Sequence, residues 1–102
     1  MTLFAVYRLD RSDGRAEAIR GEQRSAHRDY MKQFVSRVRC GGPLLDSDGH
    51  TRGGLMLIEA ESEADVRVIL GNDPFEQARL SDKIEVYMFR WQTNRPAGMP
   101  PL

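Results

Sequence analysis

Two side chains in this sequence have the types that proton transfer needs, and each has a context that argues for a fixed position. His27 lies in an apolar stripe with Ala26, Tyr30, Met31, Phe34 and Val35, offsets that share or adjoin one helical face. That face is expected to turn inward. Imidazole titrates near neutrality, so a half-buried copy can move a proton; the blander reading is a hydrogen-bonded core histidine. Asp73 stands in Asn72-Asp73-Pro74-Phe75. Asx-Pro is ordinary helix-exit chemistry in which the side chain bonds its own backbone. Read for function, the proline fixes the loop, the carboxylate is aimed, and Phe75 supplies an apolar wall. A carboxylate beside an imidazole favours the imidazolium and fixes the ring's tautomer.

Gly41-Gly42-Pro43-Leu44-Leu45 is the third unusual stretch. Two glycines inside a strand predict a bulge, or a close approach by another backbone or a ligand. No Lys-Ser/Thr pair follows and no helix begins there, so it is not a phosphate loop. Asp46, Asp48 and Gly49 mimic part of a calcium loop, but their spacing suits a hairpin, with His50 solvated in it. Ser25 and Ser36 lack a base-and-acid set, which argues against a hydrolase triad. Two histidines and one cysteine, widely separated, argue against a transition-metal site. No metal or other cofactor is expected.

The elements that must position these groups follow from periodicity. Leu3 to Leu9 alternates as a strand, with Leu3, Ala5, Tyr7 and Leu9 on one side and Phe4 and Val6 on the other. Asp10 to Gly14 is turn chemistry. A helix follows, weak from Ala16 and strong from Arg24 to about Val35. Arg15, Arg20, Arg24 and Arg28, interrupted by Glu17, Glu22 and Asp29, read as its solvated side. Val38 to Leu45 is a short strand broken at the glycines. Asp46 to Gly49 is a hairpin loop, and Gly53 to Ala60 a strand. Ser62 with Asp65 caps a helix to about Leu70, which Asn72-Asp73-Pro74 ends. Ile84 to Trp91 is the last strand.

That order, βαββαβ, is an α+β ferredoxin-like pattern: a four-stranded antiparallel sheet with two helices on one face. Leu55, Met56, Leu57 and Ile58 are consecutive and apolar. Ile84, Val86 and Met88 oppose Tyr87, Phe89 and Trp91 in the last strand. Both sheet faces therefore want burial, and two helices cover one. Leaving each large side chain in water forgoes about 1.5–3 kcal/mol. A homodimer packed sheet to sheet is predicted.

Length and composition set the bounds. A chain of 102 residues is one domain, here 1–92, followed by a proline-containing tail over 93–102. Fifteen basic and fifteen acidic residues cancel, leaving no basic stripe for nucleic acid. The single cysteine, Cys40, reads as a small buried hydrophobe in a reducing compartment. The first residues carry no leader and no spanning run, so a cytoplasmic protein without a membrane partner is expected.

Taken together, Arg24-x-x-His27-x-x-Tyr30, Gly42-Pro43-Leu44-Leu45-Asp46, Asp48-Gly49, Gly53 with the strand ending Ile58-Glu59-Ala60, Ser62, and Asn72-Asp73-Pro74-Phe75 resemble the YCII-related family from about residue 3 to 92. The resemblance implies a dimeric α/β barrel in which His27 and Asp73 face one another across a pocket between helix and sheet. Proteins of this fold include muconolactone isomerases, and one YCII-related branch removes chloride from a chlorinated hydroxy-aromatic through such a pair. Two departures stand out. Gly54 takes the place of a frequent serine, and Arg79 replaces the glycine usual after the aspartate-proline-aromatic motif, a cation expected to narrow or charge the pocket mouth.

The expected activity is a cofactor-independent isomerase, lyase or dehydrochlorinase acting on a small cyclic or aromatic molecule. His27 would relay the proton and Asp73 orient the ring. Tyr30, Phe34, Leu44 and Phe75 would form apolar walls, with Gly42 and Pro43 beside them, and Arg24 would hold a carboxylate or phenolate. The alternatives are a non-catalytic small-molecule-binding or accessory dimer, and a cofactor-free oxygenase.

Overall fold

In the computed structural model, which describes residues 1–99, the alternation of the first strand decides how the chain is layered. Phe4 and Val6 of β1 (Thr2–Asp10) enter the main core, while Leu3 and Ala5 join a smaller cluster on the opposite face. The chain continues through α1 (Ala16–Met31), a 3-10 turn at Lys32–Phe34, β2 (Val38–Leu45) and β3 (Thr51–Ala60). It ends in α2 (Glu63–Gly71), a short α3 (Pro74–Gln77) and β4 (Ser81–Met88). The sheet runs β2-β3-β1-β4 with every neighbouring pair antiparallel, the ferredoxin-like arrangement expected.

Phe4, Val6, Met56, Ile58 and Val86 of the sheet meet Val66, Ile69 and Leu70 of α2, with Tyr30, Met31 and Phe34 at the margin. Ser62 caps α2 by accepting from the Asp65 N–H, and the Asp65 carboxylate accepts in return from the Glu61 N–H and pairs with Arg37. By contrast α1 fully buries only Ile19 and rests chiefly on α3. It stands away from β2 and β3 and leaves a cleft. The inward stripe read in its sequence is correspondingly incomplete: Ala26 is exposed, and Val35 is 77% exposed beyond the 3-10 turn.

Pro43 is tolerated in β2 because that strand is an edge. The irregularities of β2 flank the glycines, at Val38/Cys40 and Leu44/Leu45, so the strand is bent and not broken. The close backbone approach lies instead at Gly53, where a Cβ would stand 2.1 Å from the Arg8 carbonyl oxygen. Cys40 is exposed, contrary to the reading from sequence, because it lies on an edge strand opposite Leu57, on the face away from the helices.

The last strand starts and stops three residues earlier than its aromatic alternation predicts. Arg79, at φ 59°, turns the chain out of α3, Leu80 donates to the Phe75 carbonyl, and Ser81 pairs at once with Asp10. Trp91 leaves the ladder and, with Met99, packs over Leu3, Ala5 and Leu57. The tail thus covers one end of the outer sheet face as far as Met99, and the expected tail residues 100–102 lie outside the described residues. The remainder of that face carries Tyr7, Leu9 and Tyr87, each exposed. No helix among the described residues is long and apolar enough to cross a membrane.

Candidate functional site

Asp73 is where the local turn and the chemistry coincide. It ends the excursion from α2 and caps α3, its Oδ1 accepting from the Phe75 N–H at 3.0 Å with Pro74 in the first helical turn. The same carboxylate receives Nδ1 of His27, at 2.8 Å to Oδ1 and 3.0 Å to Oδ2. Arg8 Nη1 donates to Oδ2 at 2.7 Å and to Glu76 Oε2 at 3.1 Å, and Ser81 Oγ donates to that Glu76 oxygen at 2.9 Å. The Asp73 side chain is 0% exposed, yet both oxygens are satisfied. Burial alone pushes its carboxyl up; the hydrogen bonds from His27 and Arg8, the Arg8 charge and the Phe75 N–H outweigh burial and hold it below the usual carboxylate range. Asp73 is therefore ionised at neutral pH.

An ionised acceptor at Nδ1 fixes the neutral ring as the Nδ1–H tautomer, leaving Nε2 with a free lone pair. Nε2 makes no hydrogen bond among the described residues. Phe75 stacks on the imidazole with centroids 4.0 Å apart and planes 13° from parallel. That contact fixes the ring plane and offers a π-face to the charge the ring carries after taking a proton.

His27 lines a cleft of about 600 Å³ between α1 and the β2–β3 edge. Arg24, Gly42, Pro43 and Phe75 line it too, as the sequence reading places them. Three expected wall residues do not. Tyr30 points into the core margin, its hydroxyl donating to the Ile69 carbonyl at 2.6 Å, and burial together with the Asp73 charge raises its pKa against a smaller opposing effect of Arg8. Phe34 packs edge-on against Tyr30 and under the Arg37 guanidinium. Leu44 pairs with Gly53 on the outer face of the sheet. Arg79 does not line the cleft either; its carbonyl accepts from Arg11. Its positive φ gives a backbone reason for a glycine at that position.

Arg8 is the residue sequence reasoning missed. A signal existed: it continues the Phe4, Val6 alternation, which places a cation on the helix-covered face. The arginine run on α1 is exposed at Arg15, Arg24 and Arg28, as the solvated reading expects, and part of it also borders the cleft. Arg20, Arg24 and Arg28 line the cleft, with Arg20 bound to Asp10. Asp46, Asp48 and His50 do converge in the β2–β3 loop, but the Asp46 carboxylate is engaged by the Asp48 and His50 N–H groups and by Arg52.

The model of the YCII-related domain family matches residues 2–90 of this sequence. The chain belongs to that family. Among solved structures, this YCII-related chain is similar to 5-chloro-2-hydroxyhydroquinone dehydrochlorinase (TftG) from Burkholderia phenoliruptrix AC1100, in complex with 2,5-dihydroxybenzoquinone. The two are 33% identical over 88% of this chain and 93% of the other, with a TM-score of 0.76. An uncharacterized NIPSNAP domain protein from Burkholderia xenovorans shares the fold alone, at 13% identity over 94% of this chain and 99% of its own, with a TM-score of 0.54. No curated protein matches the sequence of this YCII-related chain.

Proposed function

We propose that this YCII-related protein is a cofactor-independent enzyme that moves a proton on a small cyclic or aromatic molecule, with His27 as base and acid and Asp73 as the group that orients and charge-stabilises its ring. The observation that carries the reading is the buried, ionised Asp73 bonded to Nδ1 of a cleft-lining His27. Dehydrochlorination of a chlorinated hydroxy-aromatic is the favoured reaction, supported by the likeness to TftG. There His27 takes a hydroxyl proton and returns it to the chlorine-bearing carbon, giving the keto tautomer; chloride then leaves that carbon as a second hydroxyl proton is removed, so the quinone forms with overall loss of HCl and no external oxidant. The test is turnover of 5-chloro-2-hydroxyhydroquinone, followed by chloride release. General acid–base assistance is worth about 10²–10⁴-fold, and His27→Ala and Asp73→Asn are expected to lose that much. Conversion at wild-type rate by both folded variants overturns the assignment, and tight binding without conversion by the wild type assigns the accessory role instead.

The apolar outer sheet face supports the sheet-to-sheet homodimer as the assembled form. Tyr7, Leu9 and Tyr87 remain exposed on it outside the tail's footprint. Sedimentation at micromolar concentration is expected to give twice the chain mass; a monomer at millimolar concentration removes this part of the proposal.

A further inference from the structure

The arginines of α1 form a stripe, and the stripe has a consequence for what the cleft holds. Arg20, Arg24, His27 and Arg28 follow one another on the cleft-facing side of the helix. Arg20 is neutralised by Asp10, and Arg8 at the far wall by Asp73 and Glu76. Arg24 and Arg28 form no ion pair or hydrogen bond among the described residues. Sequence spacing explains why: neither has an acidic residue three or four positions away on the helix, and each is the other's neighbour at that distance. Like charges so spaced destabilise a helix, so the pair is a local cost without an internal partner. The residues that β2 and β3 contribute to the cleft include no acid that could supply one. The excess is local, because the chain as a whole has no net charge.

We infer that Arg24 and Arg28 form a clamp for a carboxylate, so that the cleft prefers a ring acid, under the reading above a chlorinated hydroxybenzoate over the carboxylate-free 5-chloro-2-hydroxyhydroquinone, with its ring against His27 and Phe75. This rests on the reading of the cleft as a substrate site. A carboxylate fits better than a phenolate, because its two oxygens can each accept from one of two guanidinium forks, whereas one phenolate oxygen cannot engage both in full. Arg24 sits one helical turn before His27, about 4.5 Å along the axis, which sets the ring of a benzoate-sized acid beside the imidazole.

The test compares 2,5-dihydroxybenzoate with hydroquinone, the same ring without the carboxylate, by calorimetric titration of the full chain at pH 7. The acid is expected to bind roughly tenfold or more tightly, the low end for charge-assisted hydrogen bonds at half-open sites, and the advantage should fall as salt is raised. In the double variant Arg24→Gln, Arg28→Gln the advantage should disappear while the hydroquinone affinity stays as in the wild type. Equal affinities in the wild type, binding of neither ring, or an advantage that survives the double variant overturns the clamp. His27→Ala separates this from the proton-transfer reading: it should lose turnover yet keep the tenfold preference for the acid, so either claim can fail while the other is still measured.

Discussion

Replacing Arg8 with methionine isolates the residue that keeps a fully buried carboxylate charged. The substitution preserves an unbranched stem and removes both guanidinium bonds, 2.7 Å to Asp73 and 3.1 Å to Glu76. Asp73 retains His27 and the Phe75 N–H, and Glu76 retains Ser81, so neither acid is stranded. Breaking a buried pair by deleting one partner costs about 3–5 kcal/mol, and the surviving bonds place Arg8→Met at the low end, about 3 kcal/mol at pH 7. For a domain of this size that is roughly 12–24 °C in Tm. The pH dependence is more diagnostic. With its pKa depressed in the folded state, Asp73 contributes stability that is fully present above its unfolded value near 4, and is lost as pH falls through the folded value. Without Arg8 the desolvation of an ionised Asp73 is less compensated, a penalty that protonation relieves. The gap between wild type and variant should therefore be widest at pH 7 and narrow towards pH 3. Urea denaturation across that range measures it. A gap below about 1 kcal/mol at pH 7, or one constant with pH, refutes the coupling of Arg8 to Asp73.

Two backbone predictions follow from neighbouring glycines and one strained arginine. Gly53→Ala should destabilise by more than about 3 kcal/mol or prevent folding, because its Cβ would stand 2.1 Å from the Arg8 carbonyl oxygen, whereas Gly54→Ala, whose Cβ comes no nearer than 3.8 Å to any of its surroundings, should fold with wild-type secondary structure and alter only the cleft; thermal melts of the two distinguish them. Arg79→Gly should raise stability by up to about 1 kcal/mol, since it relieves a φ of 59° that an arginine rarely adopts, and an unchanged or lower urea midpoint counts against that strain.

The fold was legible because each element declared itself locally: alternation in β1, the Ser62–Asp65 cap of α2, and the turn residues between β2 and β3. His27 and Asp73 were each legible as candidates because both lie in motifs that a helix stripe or a turn explains only in part, but that they meet was implied only by the family resemblance. What sequence could not give was which apolar face meets what. Tyr30 lies on α1 and Phe34 in the 3-10 turn after it, yet both face the core margin, because the cleft takes the neighbouring stripe Arg20, Arg24, His27, Arg28 and Met31 along the helix. Arg20, Arg24 and Arg28 border the cleft while Arg24 and Arg28 stay exposed, so a run that reads as solvated also edges a candidate site. Arg8 was hidden by its own type, since a cation late in a strand usually marks the exposed side. Four-residue α3 falls below any periodicity signal, although Asp73-Pro74 marks its start.

The proton on His27 is the most direct probe of the proposed chemistry. Nitrogen chemical shifts of the imidazole, taken by NMR where the ring is neutral, report which nitrogen holds the hydrogen. The bond from Nδ1 to an ionised Asp73 predicts the Nδ1–H tautomer, with Nε2 unprotonated and facing its task as base, and predicts that Asp73→Asn relaxes this preference. A ring found as the Nε2–H tautomer, or one indifferent to Asp73→Asn, would contradict it.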